Sequence, residues 1–171
     1  EKVLELIFEK TRQVIPLDVF YVALYDSNAD SVSFPIMVDN GERWKNQTVS
    51  LKTANQIAEI IQSGKPLLLN LTEEEIEVSK KVDTRLGDRS KVSASVLTAP
   101  LQVGTHVVGV ISAQSYLMDA YNDDHLVTLT ALAHQIVVAI ENVRLFEQTA
   151  KRAQRLAILN EIGREISTLA D

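Results

Sequence analysis

The sequence predicts an α+β fold: a central antiparallel sheet, with terminal helices on one face and a ligand-accessible cavity on the other. Three observations carry this expectation. Val96 to Tyr116 is a pair of period-2 runs rich in Val, Ile, Leu and Thr around Gly104-Thr105, the pattern of a tight hairpin with Gly at its first central position. Val19 to Tyr25 and Val32 to Val38 form a second pair of β-branched and aromatic runs, separated by Asp26-Ser27-Asn28 and closed by Asp39-Asn40-Gly41. From Asp123 onward an apolar helical pattern runs without Pro or Gly until Gly163.

Counting outward from the Gly104-Thr105 turn, Val103 faces His106, Ala99 faces Val110, Leu97 faces Ser112 and Ser95 faces Gln114, all on one side of the sheet. The opposite side carries Val96, Thr98, Ile111 and Ala113 and is small and greasy enough to take a helix. The first side mixes Leu97, Ala99 and Val110 with Ser95, Ser112 and Gln114. Such a surface suits a small-molecule pocket, where an apolar lining carries a few orienting polar groups. A plain core with satisfied polar groups is the alternative reading of the same residues.

Taken in order, Val3 to Ile15 places Leu4, Ile7, Phe8, Thr11, Val14 and Ile15 at helical spacing, and Pro16 stops the helix. Two strands follow, Val19 to Tyr25 and Val32 to Val38. Thr48 to Leu51 reads as a short strand. Thr53 then caps a helix that points Ile57, Ile60 and Ile61 one way and ends at Gly64. Lys65-Pro66 leads into a strand from Leu67 to Leu71. From Thr72 to Ser93 the composition turns charged and polar, with a capped helix start at Thr72-Glu73-Glu74-Glu75 and a breaker at Gly87, and this stretch is expected to be the mobile part. Asn122 caps the last helix, and Asp123 and Asp124 complement its dipole. At about 1.5 Å per residue that helix approaches ~70 Å, against ~40 Å across a domain of this size, so it is expected to project. Its second half spaces Leu159, Ile162, Ile166 and Leu169 as a coiled-coil seam does, which predicts a parallel homodimer through the terminal helices.

Composition narrows the function classes. A chain of 171 residues holds one well-cored domain plus appendages. The net charge of −6 argues against a nucleic-acid partner, which needs a concentrated basic surface. No apolar run approaches ~18 residues, so no direct membrane insertion is expected. The chain opens on Glu1, so the lack of a signal peptide bears on these residues alone. The count of zero cysteines excludes disulfides, thiolate metal sites and thiol nucleophiles, and fits a cytoplasmic location. His125 and His134 lie on opposite helix faces at about 100° per residue, and His106 sits in a hairpin turn, so no shared metal site is expected. No Gly-rich loop precedes a Lys-Ser or Lys-Thr pair. The acidic run Glu73, Glu74, Glu75 and Glu77 suits a solvated helix face better than paired catalytic carboxylates. The hairpin residues Leu97, Ala99, Val110, Ser112 and Gln114 are therefore candidates for ligand binding. No catalytic or metal-binding residue is expected, and the residues name no cofactor.

The order of elements resembles the GAF domain family, whose sheet is PAS-like. The resemblance covers about residues 1 to 148. It rests on Phe20-Tyr21-Val22-Ala23-Leu24-Tyr25-Asp26, Ser63-Gly64-Lys65-Pro66-Leu67, Ala99-Pro100-Leu101 with Gly109-Val110-Ile111-Ser112, and Gln135 through Ala139-Ile140-Glu141-Asn142-Val143-Arg144-Leu145. The tail Leu159-Asn160-Glu161-Ile162-Gly163-Arg164-Glu165-Ile166 looks like the lead-in to a further module, which makes residues 149–171 a helical coiled-coil linker. The resemblance implies a non-catalytic regulatory domain that holds a small molecule, of unknown identity, between the sheet and the variable loop. In that fold Tyr21, Phe34 and Trp44 are placed to line or close the cavity, and Arg85 and Arg89 lie in the segment that covers it, as clamps for a phosphate or carboxylate ligand. The ligand's state would pass through dimeric helices to an output such as a histidine kinase or diguanylate cyclase. A purely structural dimerisation module and a cyclic-nucleotide-binding domain are the alternatives. Tyr121, Asn122, Asp123 and Asp124 do not clearly match the cyclic-nucleotide motif. Free methionine sulfoxide reductases of similar form, and covalent bilin attachment, both need a cysteine that this chain lacks.

Overall fold

Thirteen residues of alternating apolar and charged character open the chain as helix α1 (Lys2–Val14), which stops before Pro16. The computed structural model describes residues 2–81, 88 and 90–169. The predicted mobility of 72–93 and the breaker at Gly87 bear on 82–87 and 89, which lie outside the described residues, as do Arg85 and Arg89.

Strands β1 (Val19–Asp26), β2 (Ser31–Asp39), β3 (Glu42–Arg43), β4 (Thr48–Ser50), β5 (Leu67–Asn70), β6 (Ser95–Val103) and β7 (His106–Ser115) make one antiparallel sheet. The strand order is β3-β2-β1-β7-β6-β5, with β4 also pairing β2. The β2–β3 turn is Asn40-Gly41, at φ of 51° and 81°, the left-handed pair that a two-residue hairpin demands. Between β4 and β5 lie a 3₁₀ turn (Leu51–Thr53) and helix α2 (Asn55–Ser63), which Gly64 ends at φ 65°. The expected cap at Thr53 is corrected. Thr53 belongs to the 3₁₀ turn, where its hydroxyl donates to the Ser50 carbonyl at 2.8 Å, and the α2 N-cap is Ala54, with no side-chain cap. Helix α3 (Glu73–Lys80) begins with the expected capping box of Thr72 and Glu75.

Two bulges set which side chain faces where. In β2, Phe34 and Pro35 together oppose Ala23 of β1, and Pro35 brings no N–H to the ladder. The phase of β2 flips there, so Val32 and Phe34 share a face with Met37 and Asp39. In the β6–β7 hairpin, Val103 pairs His106 as expected, but Gln102 pairs Val107 and Leu101 pairs Gly109, leaving Val108 as an extra residue. Every pairing beyond it shifts. Ala99 lies opposite Ile111, Leu97 opposite Ala113, and Ser95 opposite Ser115. The uninterrupted register expected from the turn is therefore corrected: Leu97 and Ala99 lie on the face opposite Val110, Ser112 and Gln114, and Val96 and Thr98 replace them.

One face of the sheet buries Phe20, Val22, Leu97, Ala99, Leu101, Ile111 and Ala113. The terminal helices take this face. The Phe8 ring of α1 lies 5.3 Å from that of Phe20, and helix α4 (Asp123–Leu169) buries Leu129, Ala133 and Ile136 at helical spacing. The other face packs Tyr21, Ala23, Val32, Phe34, Met37 and Val110 with Ile57 and Ile60 of α2. The chain divides into two compact units, Glu1–Val137 and Val138–Asp171. The second unit is helical throughout its described residues.

Candidate functional site

A cavity of about 390 Å³ opens on the face that carries α2. Its floor is a transverse row of the sheet. The pairings Asp39 with Val19, Val19 with Gln114, Gln114 with Val96, and Val96 with Leu69 cross five strands, and all five residues line the cavity. The next row, Met37, Tyr21, Ser112, Thr98 and Leu67, separates the cavity from the core beneath α2. The first turn of α2, from Ala54 to Ile57, closes one side, and Lys91, Val92 and Ser93 another.

Two groups of polar atoms adjoin the apolar lining. Behind Gln114 the Thr98 and Ser112 hydroxyls lie 3.0 Å apart, Ser112 donates to the Leu97 carbonyl at 2.9 Å, and Gln114 Nε2 donates to Ser112 Oγ at 3.2 Å. The Tyr21 hydroxyl joins them. Burial raises its pKa above the ordinary 10.0, and hydrogen bonds with Ser112, Gln114 and Thr98 partly oppose that shift. At the edge of the floor, Asp39 is only 4% exposed. Its Oδ1 accepts from the Tyr116 hydroxyl, and its Oδ2 accepts the Asp88 backbone N–H at 2.6 Å. Lys91 Nζ lies 4.8 Å from the centroid of the Tyr116 ring. Burial, the bond to Asp39 and the charges of Asp39, Asp88 and Asp18 all raise the Tyr116 hydroxyl, so it stays a donor.

The structure brings together some of the expected residues. Tyr21 and Gln114 line the cavity, with Ser112 bonded directly behind them. Phe34 and Val110 share that face but are fully buried in the core under α2, with the Phe34 ring edge-on to Tyr21 at 5.5 Å. Trp44 is 39% exposed and lies outside the lining. Leu97 and Ala99 are on the far face for the reason given above. Sequence reasoning missed Asp39 and Tyr116, and counted Lys91 only among the basic residues of the segment over the cavity, with Arg85 and Arg89 as the expected clamps. Asp39 had been read as a turn residue, and its bonds to Asp88 and Tyr116 span 49 and 77 positions.

A sheet with terminal helices on one face and a cavity on the other defines a ligand-accessible α+β module. The chain belongs to the GAF domain family, whose model it matches over residues 1–140. Among curated proteins none matches the sequence. Solved structures of similar fold include a methyl-accepting chemotaxis protein (residues 122 to 287), at 20% identity and TM-score 0.66, covering 85% of this chain and 90% of that one. The GAF domain of a two-component sensor histidine kinase from Bacillus halodurans is similar at 16% identity and TM-score 0.64, covering 85% and 96%. A type II free methionine-R-sulfoxide reductase from Thermoplasma acidophilum is similar at 10% identity and TM-score 0.63, covering 82% and 92%. At these identities the likeness is one of fold.

Proposed function

We propose that this domain is a non-catalytic, small-molecule-sensing regulatory module of a cytoplasmic signal transduction protein. It works as a homodimer through its terminal helices and relays ligand state to an output such as a histidine kinase or diguanylate cyclase. The observation that carries the reading is the cavity. A sheet row that sets Val19, Val96 and Leu69 around Gln114, with Tyr21 beside it and Asp39 at its edge, is suited to orient a small ligand. A collapsed dimerisation module needs no such space. The chemotaxis and sensor-kinase proteins of similar fold agree with a signalling role. The absence of cysteine removes the thiol chemistry that a reductase of this fold would call on. Leu159 and Ile162, 64% and 46% exposed on the second unit, support a helix seam awaiting its copy. Among the described residues no helix is long and apolar enough to cross a membrane.

Native mass spectrometry of the purified domain tests the reading. A dimer carrying an additional small mass supports it and identifies the ligand class. An empty protein that shows no thermal shift across nucleotides, tetrapyrroles and metabolites returns the function to plain dimerisation. Interspin distances between the terminal helices, measured with and without ligand, test the relay, and unchanged distances would remove it.

A further inference from the structure

We propose that the cavity takes a ligand bearing a cationic nitrogen, seated against the Tyr116 ring, where the Lys91 ammonium now lies, and drawn by the Asp39 carboxylate that accepts from that ring's hydroxyl. This rests on the sensing role and names the chemistry the site selects.

The argument starts from Asp39. A carboxylate withdrawn from water is stable only if hydrogen-bonded or paired with a cation. Asp39 is nearly fully buried on the cavity floor, and its two oxygens accept only from neutral groups, the Tyr116 hydroxyl and the Asp88 amide. None of the ion pairs Glu9–Arg12, Glu5–Arg43 and Glu77–Lys80 reaches Asp39. Asp88 also lines the cavity. A ligand nitrogen bearing positive charge would give the Asp39 carboxylate the opposite charge that its two neutral donors do not.

The second observation is that this corner already holds a cation. Lys91 Nζ sits 4.8 Å from the Tyr116 ring centroid, within the range of cation–π attraction, and Lys91 lines the cavity. The ring's hydroxyl end is bonded to Asp39, so the phenol joins an aromatic face to a buried negative charge. Lys91 thus acts as a tethered stand-in for the ligand's nitrogen, competing with it for the same ring. The row of Val19, Val96 and Leu69 provides an apolar bed for the rest of the molecule.

The test uses the 171-residue chain and three probes of one shape and different charge: benzylammonium, benzyl alcohol and benzoate, titrated by calorimetry or amide NMR shifts. Benzylammonium is expected to bind at least tenfold more tightly than the other two. Lys91→Met, which removes the competing charge at similar length, is expected to tighten benzylammonium about tenfold and leave benzyl alcohol unchanged. Asp39→Asn is expected to weaken benzylammonium at least tenfold. Should that variant fail to fold, the probe ranking and Lys91→Met still decide. Preference for benzoate or the alcohol, an unchanged affinity in Lys91→Met, or binding of none of the probes overturns the cationic-ligand inference. A neutral or anionic ligand found by native mass spectrometry would overturn it too, while leaving the sensing role intact; an empty cavity there would remove both.

Discussion

Gly109 leaves no room for a side chain. A Cβ there would meet the Ala23 carbonyl oxygen at 2.2 Å and Leu24 Cα at 3.1 Å, both backbone atoms of the neighbouring strand. Gly109→Ala is therefore expected to lower unfolding free energy by about 2 kcal/mol or more in urea titration, since β1 must move to admit one methyl group. Tyr21→Phe is milder, at about 1 kcal/mol, because the ring packing against Phe34 survives while the hydroxyl leaves the Ser112 and Gln114 cluster. Three tyrosines also set an alkaline limit. Burial raises Tyr21, Tyr116 and Tyr121 above the ordinary value of 10.0. The unfolded chain gives up these protons near pH 10 while the folded chain keeps them, so their contribution is complete below that pH and is lost as pH climbs past it. Phenolate absorbance should rise together with the loss of circular dichroism above pH 10. A rise well ahead of unfolding would count against this account.

Element by element, much of the fold was legible in the sequence, and the failures share one cause. Helix α1, the long strands and the Gly104-Thr105 turn announce themselves through period and punctuation, because burial of one face enforces the pattern locally. The same holds at the start of α4. There the Asn122 side chain accepts the His125 N–H and His125 Nδ1 accepts the Asn122 N–H, each at 3.2 Å, a reciprocal cap in which an imidazole stands where Glu or Gln is usual. Asn122→Ala should cost about 1 kcal/mol in thermal or chemical unfolding. Bulges were not legible. One extra residue at Val108 exchanged the faces of Leu97 and Ala99 with those of Val96 and Thr98, and Gly109 inside a strand was the only mark it left. Pro35 was the corresponding sign in β2.

For the whole molecule, the fold class followed from the sequence, whereas the polar corner of the cavity did not. Ser112 and Gln114 could be assigned because alternation along β7 keeps them on one face with Val110 whatever the register of the partner strand, and Tyr21 followed from the resemblance. Asp39, Lys91 and Tyr116 meet only after β2, the segment around Asp88 and the end of β7 are brought together, and no local pattern reports that. Dimerisation, proposed through the terminal helices, gives a test at this scale. The double substitution Leu159→Glu and Ile162→Glu should convert a dimer to a monomer in sedimentation while leaving the melting temperature of the sheet-bearing unit unchanged.

The sheet's borders bear on how such copies can meet. One border is β5, four residues long, and the other is divided between β3 and β4, of two and three residues, placed at opposite ends of β2. An incoming strand from another molecule finds few consecutive free backbone groups on either side, so runaway edge-to-edge growth into fibrils is discouraged. If the terminal helices pair two copies as proposed, the sheets can be brought close together without polymerising through their edges.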